Sequence, residues 1–220
     1  MLVHVLLVAH IAVLGYWLGS ELVINNLYRY VSYSGAMPFA ERDRLMDRVM
    51  EVDQHVRYAL VLQAGLGFVL AAFYGYVPGG RATAAWVAIL AAIWLAFVEG
   101  VHRLRHRPVG LRLAAIDRVS RYVLLGLLLA IAIGLIGGGW AMPVWLRLKL
   151  ALFAGVIACG VGIRIALIRH FRTWAVMTHE GVTDATNAII RRTYVQATSV
   201  LAVLWVCIAG IVVASVWKPG

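Results

Sequence analysis

The chain has few charged residues. Only 14% of its 220 residues are Asp, Glu, Lys or Arg, whereas a soluble globular domain carries about 25%. Hydrophobic residues make up 63% of the chain. Because so little polar surface cannot cover a fold of this size in water, the composition excludes an ordinary soluble domain and predicts an integral membrane protein.

The chain also has few cysteines. The two cysteines, Cys159 and Cys207, both lie inside apolar segments, which excludes a disulfide framework and a cysteine-based metal site. The chain also lacks a linker or low-complexity tract. We therefore expect one transmembrane domain over residues 1–220.

Long apolar segments account for most of the chain. They cover residues 2–25, 56–77, 83–101, 122–140, 144–168 and 195–217. A helix needs roughly 20 residues to cross the hydrocarbon core, and within lipid a helix satisfies its own backbone hydrogen bonds. The sequence therefore predicts an all-α polytopic bundle of six transmembrane helices.

The positive residues are distributed unevenly about these segments. Loops 26–55, 102–121 and 169–194, with the adjoining helix ends, hold 16 of the 20 Lys and Arg residues. The other side holds only Arg81, Arg147, Lys149 and Lys218. The positive-inside rule places the three loops in the cytoplasm and both termini outside (N-out/C-out). The net charge of +10 then reflects topology and contact with a lipid bilayer, with no nucleic-acid partner.

Residues 38–54 form an amphipathic segment in the first of these loops. Pro38 suits a helix start, and Glu41 suits a first helical turn. Leu45 and Met46 belong to an apolar set that recurs at helical spacing between charges. We expect this segment to extend the second helix into the cytoplasm or to lie along the headgroups.

Ionisable side chains at membrane depth are costly and indicate function. From the predicted topology, His10 in helix 1 and Lys149 in helix 5 lie at similar depth on the outer side. A neutral imidazole and a neutral amine both suit iron, so a planar macrocycle between the helices would join them. The alternative is that Lys149 reaches the headgroups and His10 bonds a neighbouring helix.

Two short motifs carry a family resemblance. Residues 9–19, Ala-His-Ile-Ala-Val-Leu-Gly-Tyr-Trp-Leu-Gly, contain a His, a Trp about two turns later and a small residue soon after. This pattern resembles the first-helix motif of HemJ-type protoporphyrinogen oxidases and of CopD-type copper-resistance membrane domains. Residues 145–150, Trp-Leu-Arg-Leu-Lys-Leu, resemble the Trp-Leu-x-x-Lys-Leu run of the HemJ family.

The resemblance implies a membrane redox protein that binds haem b. His10 and Lys149 are its candidate ligands, and Trp17 belongs to the wall of the site. Its function would be electron transfer to quinone or porphyrinogen oxidation, with a redox partner subunit, in a bacterial inner membrane. The Pro-Arg-Leu-Phe-Val-Tyr-His run that follows the first HemJ motif is missing at residues 23–31, which bears on the oxidase activity more than on the haem.

Four more histidines are predicted at the cytoplasmic edge: His55, His102, His106 and His170. The spacing of His102 and His106 puts both on one helix face. Histidine is a common haem and metal ligand, so these residues are candidates for a second site. The alternative is that they are helix ends seated among headgroups.

Two other functions remain open. A CopD-like protein would handle copper through His4, His10 and methionines, although Cu(I) favours clustered thioethers and the six methionines are scattered. A cofactor-free structural subunit of a larger respiratory or photosynthetic complex is also compatible with the sequence. The sequence does not decide the oligomeric state.

Overall fold

The computed structural model describes residues 1–105 and 107–218 of the chain, and within these ranges it is all-helical. The six helices are α1 (Leu2–Tyr33), α2 (Phe39–Phe73), α3 (Gly80–Arg103), α4 (Pro108–Ala132), α5 (Val144–Glu180) and α6 (Asp184–Trp217). All except α4 are long and apolar enough to cross a membrane. The predicted all-α membrane bundle is confirmed.

Helix α4 departs from the predicted segment 122–140. It begins at Pro108, since proline fits a first helical position, and ends at Ala132. Gly134 and Gly137 then adopt positive φ values of 82° and 70°, a conformation that favours glycine and ends the helix. The boundaries predicted for this element were wrong at both ends.

Helices α1, α2, α5 and α6 are also much longer than their apolar segments. Helix α1 continues to Tyr33 and α5 to Glu180, while α6 starts at Asp184 behind a capping box at Thr183. The amphipathic segment 38–54 forms the first half of α2 without a break, so it extends the helix, as the first of the two alternatives predicted. These extensions form a second helical layer beyond the apolar spans.

The helices pack in chain order as a ring. Each contacts its neighbours in sequence, and α6 closes the ring against α1. Trp17, Ala59, Leu128, Phe153 and Leu201 meet in the centre, so α1, α2, α4, α5 and α6 share one core. This arrangement puts α2 and α5 across from each other inside the ring.

The ring has two different ends. One end, called the terminal end below, holds Met1, the α2–α3 turn, the α4–α5 turn and Lys218. The opposite end, called the charged end, holds the three loops that the sequence predicts to be cytoplasmic. Tyr28, Val31, Met46, Trp174 and Ile190 form a second core at the charged end.

Arg42 ties the charged end together. It is fully buried, its Nε donates to the Val31 carbonyl of α1 at 3.2 Å, and its Nη1 donates to Asn187 Oδ1 of α6 at 2.9 Å. Its guanidinium also lies 5.3 Å from the Trp174 ring centroid of α5. The Val31 carbonyl belongs to the last turn of α1, where carbonyls lack helical partners. One side chain therefore connects four helices.

Candidate cofactor site

The His10 ring is held against α2. Gln63 Nε2 lies 3.2 Å from His10 Nε2. The ring also lies next to Gly67, one turn further along α2, where a Cβ would make an ordinary contact with His10 Cε1 at 3.5 Å. The sequence alternative in which His10 bonds a neighbouring helix describes this contact.

Two atoms of this pair have no hydrogen-bond partner in the described part of the chain. They are His10 Nδ1 and Gln63 Oε1, and both are buried. Buried polar groups are satisfied in the great majority of cases, so each orphaned atom calls for an explanation such as a bound ligand or an ordered water. The site is therefore incomplete with protein atoms alone.

The two orphaned atoms are linked through the amide of Gln63. When its N–H donates to His10 Nε2, the proton of a neutral imidazole sits on Nδ1. If the amide turns by half a revolution, Oε1 accepts from Nε2–H and the Nδ1 lone pair becomes free. This second arrangement gives the Gln63 oxygen a donor, moves the Gln63 NH2 to the position without a partner and leaves His10 Nδ1 free to accept.

A cavity of about 80 Å³ lies between α2 and α5. Gln63, Gly67 and Phe68 line its α2 wall, and Leu146, Lys149 and Phe153 line its α5 wall. Gln63 thus contacts His10 and shares the cavity with Lys149. The two sequence-predicted ligands are brought to the same region of the bundle.

Trp17 does not line this cavity but packs against Phe153, which does. Its side chain is buried, with 2% exposed, and its ring packs edge-on against Phe153 at 6.3 Å between centroids. Its Nε1 donates to Glu21 Oε1 at 3.3 Å. Trp17 therefore supports the wall of the cavity through Phe153.

The donor atoms suit haem iron, but the space does not hold the macrocycle in this conformation. A neutral imidazole nitrogen and an amine are both nitrogen donors, and His10 Nδ1 is free for a metal when the ring proton is on Nε2. A cavity of about 80 Å³ is nevertheless much smaller than the roughly 300–1,000 Å³ of small-molecule sites. A porphyrin could enter only if α2 and α5 move apart.

Of the four histidines of the predicted second site, the three that the structure describes are not brought into one cluster. His55 is exposed and contacts Tyr16 and Tyr58, while His102 is half-buried near the end of α3. His106 lies outside the described residues. No group of three or more His, Cys, Asp or Glu side chains suited to a metal occurs in the described ranges.

His170 is the exception to the expected helix-end position. Because α5 continues to Glu180, the residue is fully buried in the charged-end core. The Tyr28 hydroxyl lies 3.0 Å from its Nδ1, and the ring stacks on Trp174 at 5.3 Å. Its Nε2 has no partner within the described structure, which repeats the pattern seen at His10.

Ion pairs occupy the part of the bundle between these two histidines. Asp53 pairs with Arg57 at 3.0 Å on α2, and Asp117 pairs with Arg121 at 2.8 Å on α4. Each pair is spaced i, i+4 on its own helix, so the helix itself holds both partners in contact. These charges are neutralised locally.

Comparison with protein-family models found no match to this chain. Comparisons with curated proteins and with solved structures also found none.

Proposed function

We propose that this chain is a haem-b-binding membrane redox protein, with His10 and Lys149 as the candidate ligands. The observation that carries the proposal is the buried, unpartnered Nδ1 of His10. The ring of His10 contacts Gln63, which lines a cavity that Lys149 lines from the opposite helix. The resemblance of residues 9–19 and 145–150 to the HemJ motifs supports the same two residues.

Gln63 is the positioning residue in this proposal. Histidines that bind a metal usually donate their other ring N–H to an acceptor, which fixes the tautomer and the ring orientation. Gln63 Oε1 provides that acceptor after the amide has turned. Bound haem b would supply one-electron transfer, and the chain would orient it and keep water away.

The opening that a porphyrin requires would separate α2 from α5. The main contacts of α2 are with α1 and α3, and those of α5 are with α4 and α6. Moving the terminal-end half of α2 away from α5 would keep its packing against α1 and α3 but would open the cluster that Ala71 shares with Leu146 and Leu150. The small residues Ala64, Gly67 and Ala71 line the α2 side of the cavity and would leave a flat surface for a macrocycle.

Haem content of His10→Ala tests this proposal, with His4→Ala as the matched control. His4 is on the same helix but is exposed. Both variants are purified in detergent and measured by a pyridine haemochrome assay. We expect His10→Ala to lose most of its haem and His4→Ala to keep it. Equal haem content in both variants would contradict the ligation.

The quinone or porphyrinogen substrate, a redox partner subunit and a bacterial inner membrane belong to the same proposal and rest on the motif resemblance. The copper alternative receives less support, because Met142 is the one methionine among the described residues that line the cavity. Copper in stoichiometric amount in a haem-free preparation would favour it. A colourless, copper-free protein that purifies with other subunits would favour the structural alternative.

A further inference from the structure

The terminal end of the bundle has cations but no carboxylate side chain. All ten Asp and Glu residues lie in the halves of their helices nearer the charged end. The terminal end holds Arg81, Arg147, Lys149 and Lys218. These cations therefore have no acidic side chain nearby with which to pair.

One of these cations is satisfied by the backbone. Arg147 donates its Nη1 to the Ile131 carbonyl at 3.0 Å, and its Nη2 lies 3.4 Å from the Gly137 carbonyl. It therefore caps the C-terminal end of α4, where cations are favourable. Arg147 needs no further partner.

Lys149 and Lys218 both place their ammonium groups near the indole ring of Trp145. The Lys149 Nζ lies 5.6 Å from the Trp145 ring centroid, and the Lys218 Nζ lies 5.9 Å from it. Neither lysine has an ion pair among the described residues. Two ammonium groups at one ring repel each other, and an anion between them would relieve that repulsion.

One of these two lysines also adjoins an apolar space. Lys149 lines the α2–α5 cavity, whose other walls include Phe68, Leu146, Leu150 and Ile211. Gln63 also lines this cavity, is nine-tenths buried and has an unpartnered Oε1. A cationic entrance above an apolar interior suits a molecule with an anionic head and a hydrocarbon body.

We infer that an anionic phospholipid binds at this entrance. Its phosphate lies between Lys149 and Lys218 beside Trp145, and the part of an acyl chain next to the headgroup is directed to the α2–α5 cavity. Tryptophan favours this depth because its ring is amphipathic and suits the headgroup level. The inference does not rest on haem. The two occupants exclude each other on one chain, since the Lys149 ammonium binds phosphate whereas a neutral Lys149 amine binds iron, so the lipid occupies the haem-free chain.

Lipid titration of the haem-free full chain in neutral detergent tests this inference. Phosphatidylglycerol and phosphatidylcholine are added separately, and bound lipid is counted by native mass spectrometry. Since each basic residue near an anionic headgroup contributes about 1 kcal/mol, we expect roughly fivefold weaker phosphatidylglycerol binding for Lys218→Gln. The double variant Lys149→Gln/Lys218→Gln should lose the preference over phosphatidylcholine.

Arg81→Gln is the matched control, because Arg81 is at the same end but lies beside Met1, Leu2 and Phe73. It should bind phosphatidylglycerol like the unchanged protein. An equal loss in Arg81→Gln, or no lipid preference in the unchanged protein, would overturn the inference. So would competition by inorganic phosphate at the concentration of phosphatidylglycerol, or equal binding of oleate.

Lys218→Gln also separates the two proposals. Lys218 is exposed at the end of α6 and has no part in the proposed haem ligation. We expect this variant to bind less phosphatidylglycerol while its haem content stays unchanged. Unweakened lipid binding in Lys218→Gln would contradict the lipid site, and loss of haem in His10→Ala would still support the haem proposal.

Discussion

Gln63 on α2 and His10 on α1 meet through their side-chain Nε2 atoms at 3.2 Å. Both residues also keep one buried polar atom without a partner in the described chain. A half turn of the Gln63 amide satisfies its oxygen and frees the His10 Nδ1 lone pair. In the haem proposal, the Gln63 amide would therefore decide which ring nitrogen of His10 carries the proton.

Replacement of Gln63 tests that role. Gln63→Leu removes the acceptor for His10 Nε2–H but leaves an apolar side chain of similar size. Loss of such an outer partner typically lowers metal affinity about 10–100-fold, so we expect haem to dissociate correspondingly more readily. Transfer of haem to apomyoglobin, followed by its absorbance, measures this change.

Gln63→Glu is the matched variant because its carboxylate still accepts from His10 Nε2–H. We expect it to retain haem at least as well as the unchanged protein. If Gln63→Leu and Gln63→Glu release haem equally fast, Gln63 does not position His10.

Removal of Arg42 should destabilise the charged end. Arg42→Ala leaves Asn187 Oδ1 and the Val31 carbonyl without their donor, and each buried unsatisfied group costs about 1–3 kcal/mol. We expect the free energy of unfolding to fall by on the order of 2–4 kcal/mol, measured by denaturation in mixed micelles.

Arg44→Ala is the control for Arg42, because Arg44 is on the same helical turn and is exposed. Its substitution should change the stability by less than about 0.5 kcal/mol. Equal losses in the two variants would show that the Arg42 contacts do not hold the four helices together.

Cysteine labelling tests the predicted orientation. In a background with Cys159→Ala and Cys207→Ala, single cysteines are introduced as Ala36→Cys in the α1–α2 loop and Gly139→Cys in the α4–α5 loop. Both positions are exposed, and Gly139 has open space where a Cβ would lie. A membrane-impermeant maleimide should label Gly139→Cys in intact cells and Ala36→Cys only after permeabilisation. The reverse pattern would refute the N-out/C-out topology.

The apolar runs predicted the membrane bundle because hydropathy depends on composition alone. The start of α5 at Val144 agrees with the predicted segment 144–168. Hydropathy fails where tertiary contacts sustain a helix outside lipid, as in the polar stretch from Asn25 to Tyr33 of α1. That stretch is helical because Tyr28 and Val31 pack against α2, α5 and α6, contacts that a sequence window does not contain.

The candidate site could be predicted from the sequence only in part. Topology alone set His10 and Lys149 at one depth, and the structure puts both beside the α2–α5 region. Gln63 was missed because an amide is not ionisable, although a glutamine within an apolar span is itself a signal. The contact of Arg42 with Asn187 spans 145 positions and depends on how four helices meet, so no local pattern predicts it.

The central claim is that this chain carries haem b, and a reduced-minus-oxidised visible spectrum of the purified protein tests it most directly. A pyridine haemochrome assay on the same sample gives the stoichiometry. The proposal predicts a b-type spectrum with about one haem per chain. A colourless protein, purified from cells with ample haem and refractory to added haem, would contradict the proposal.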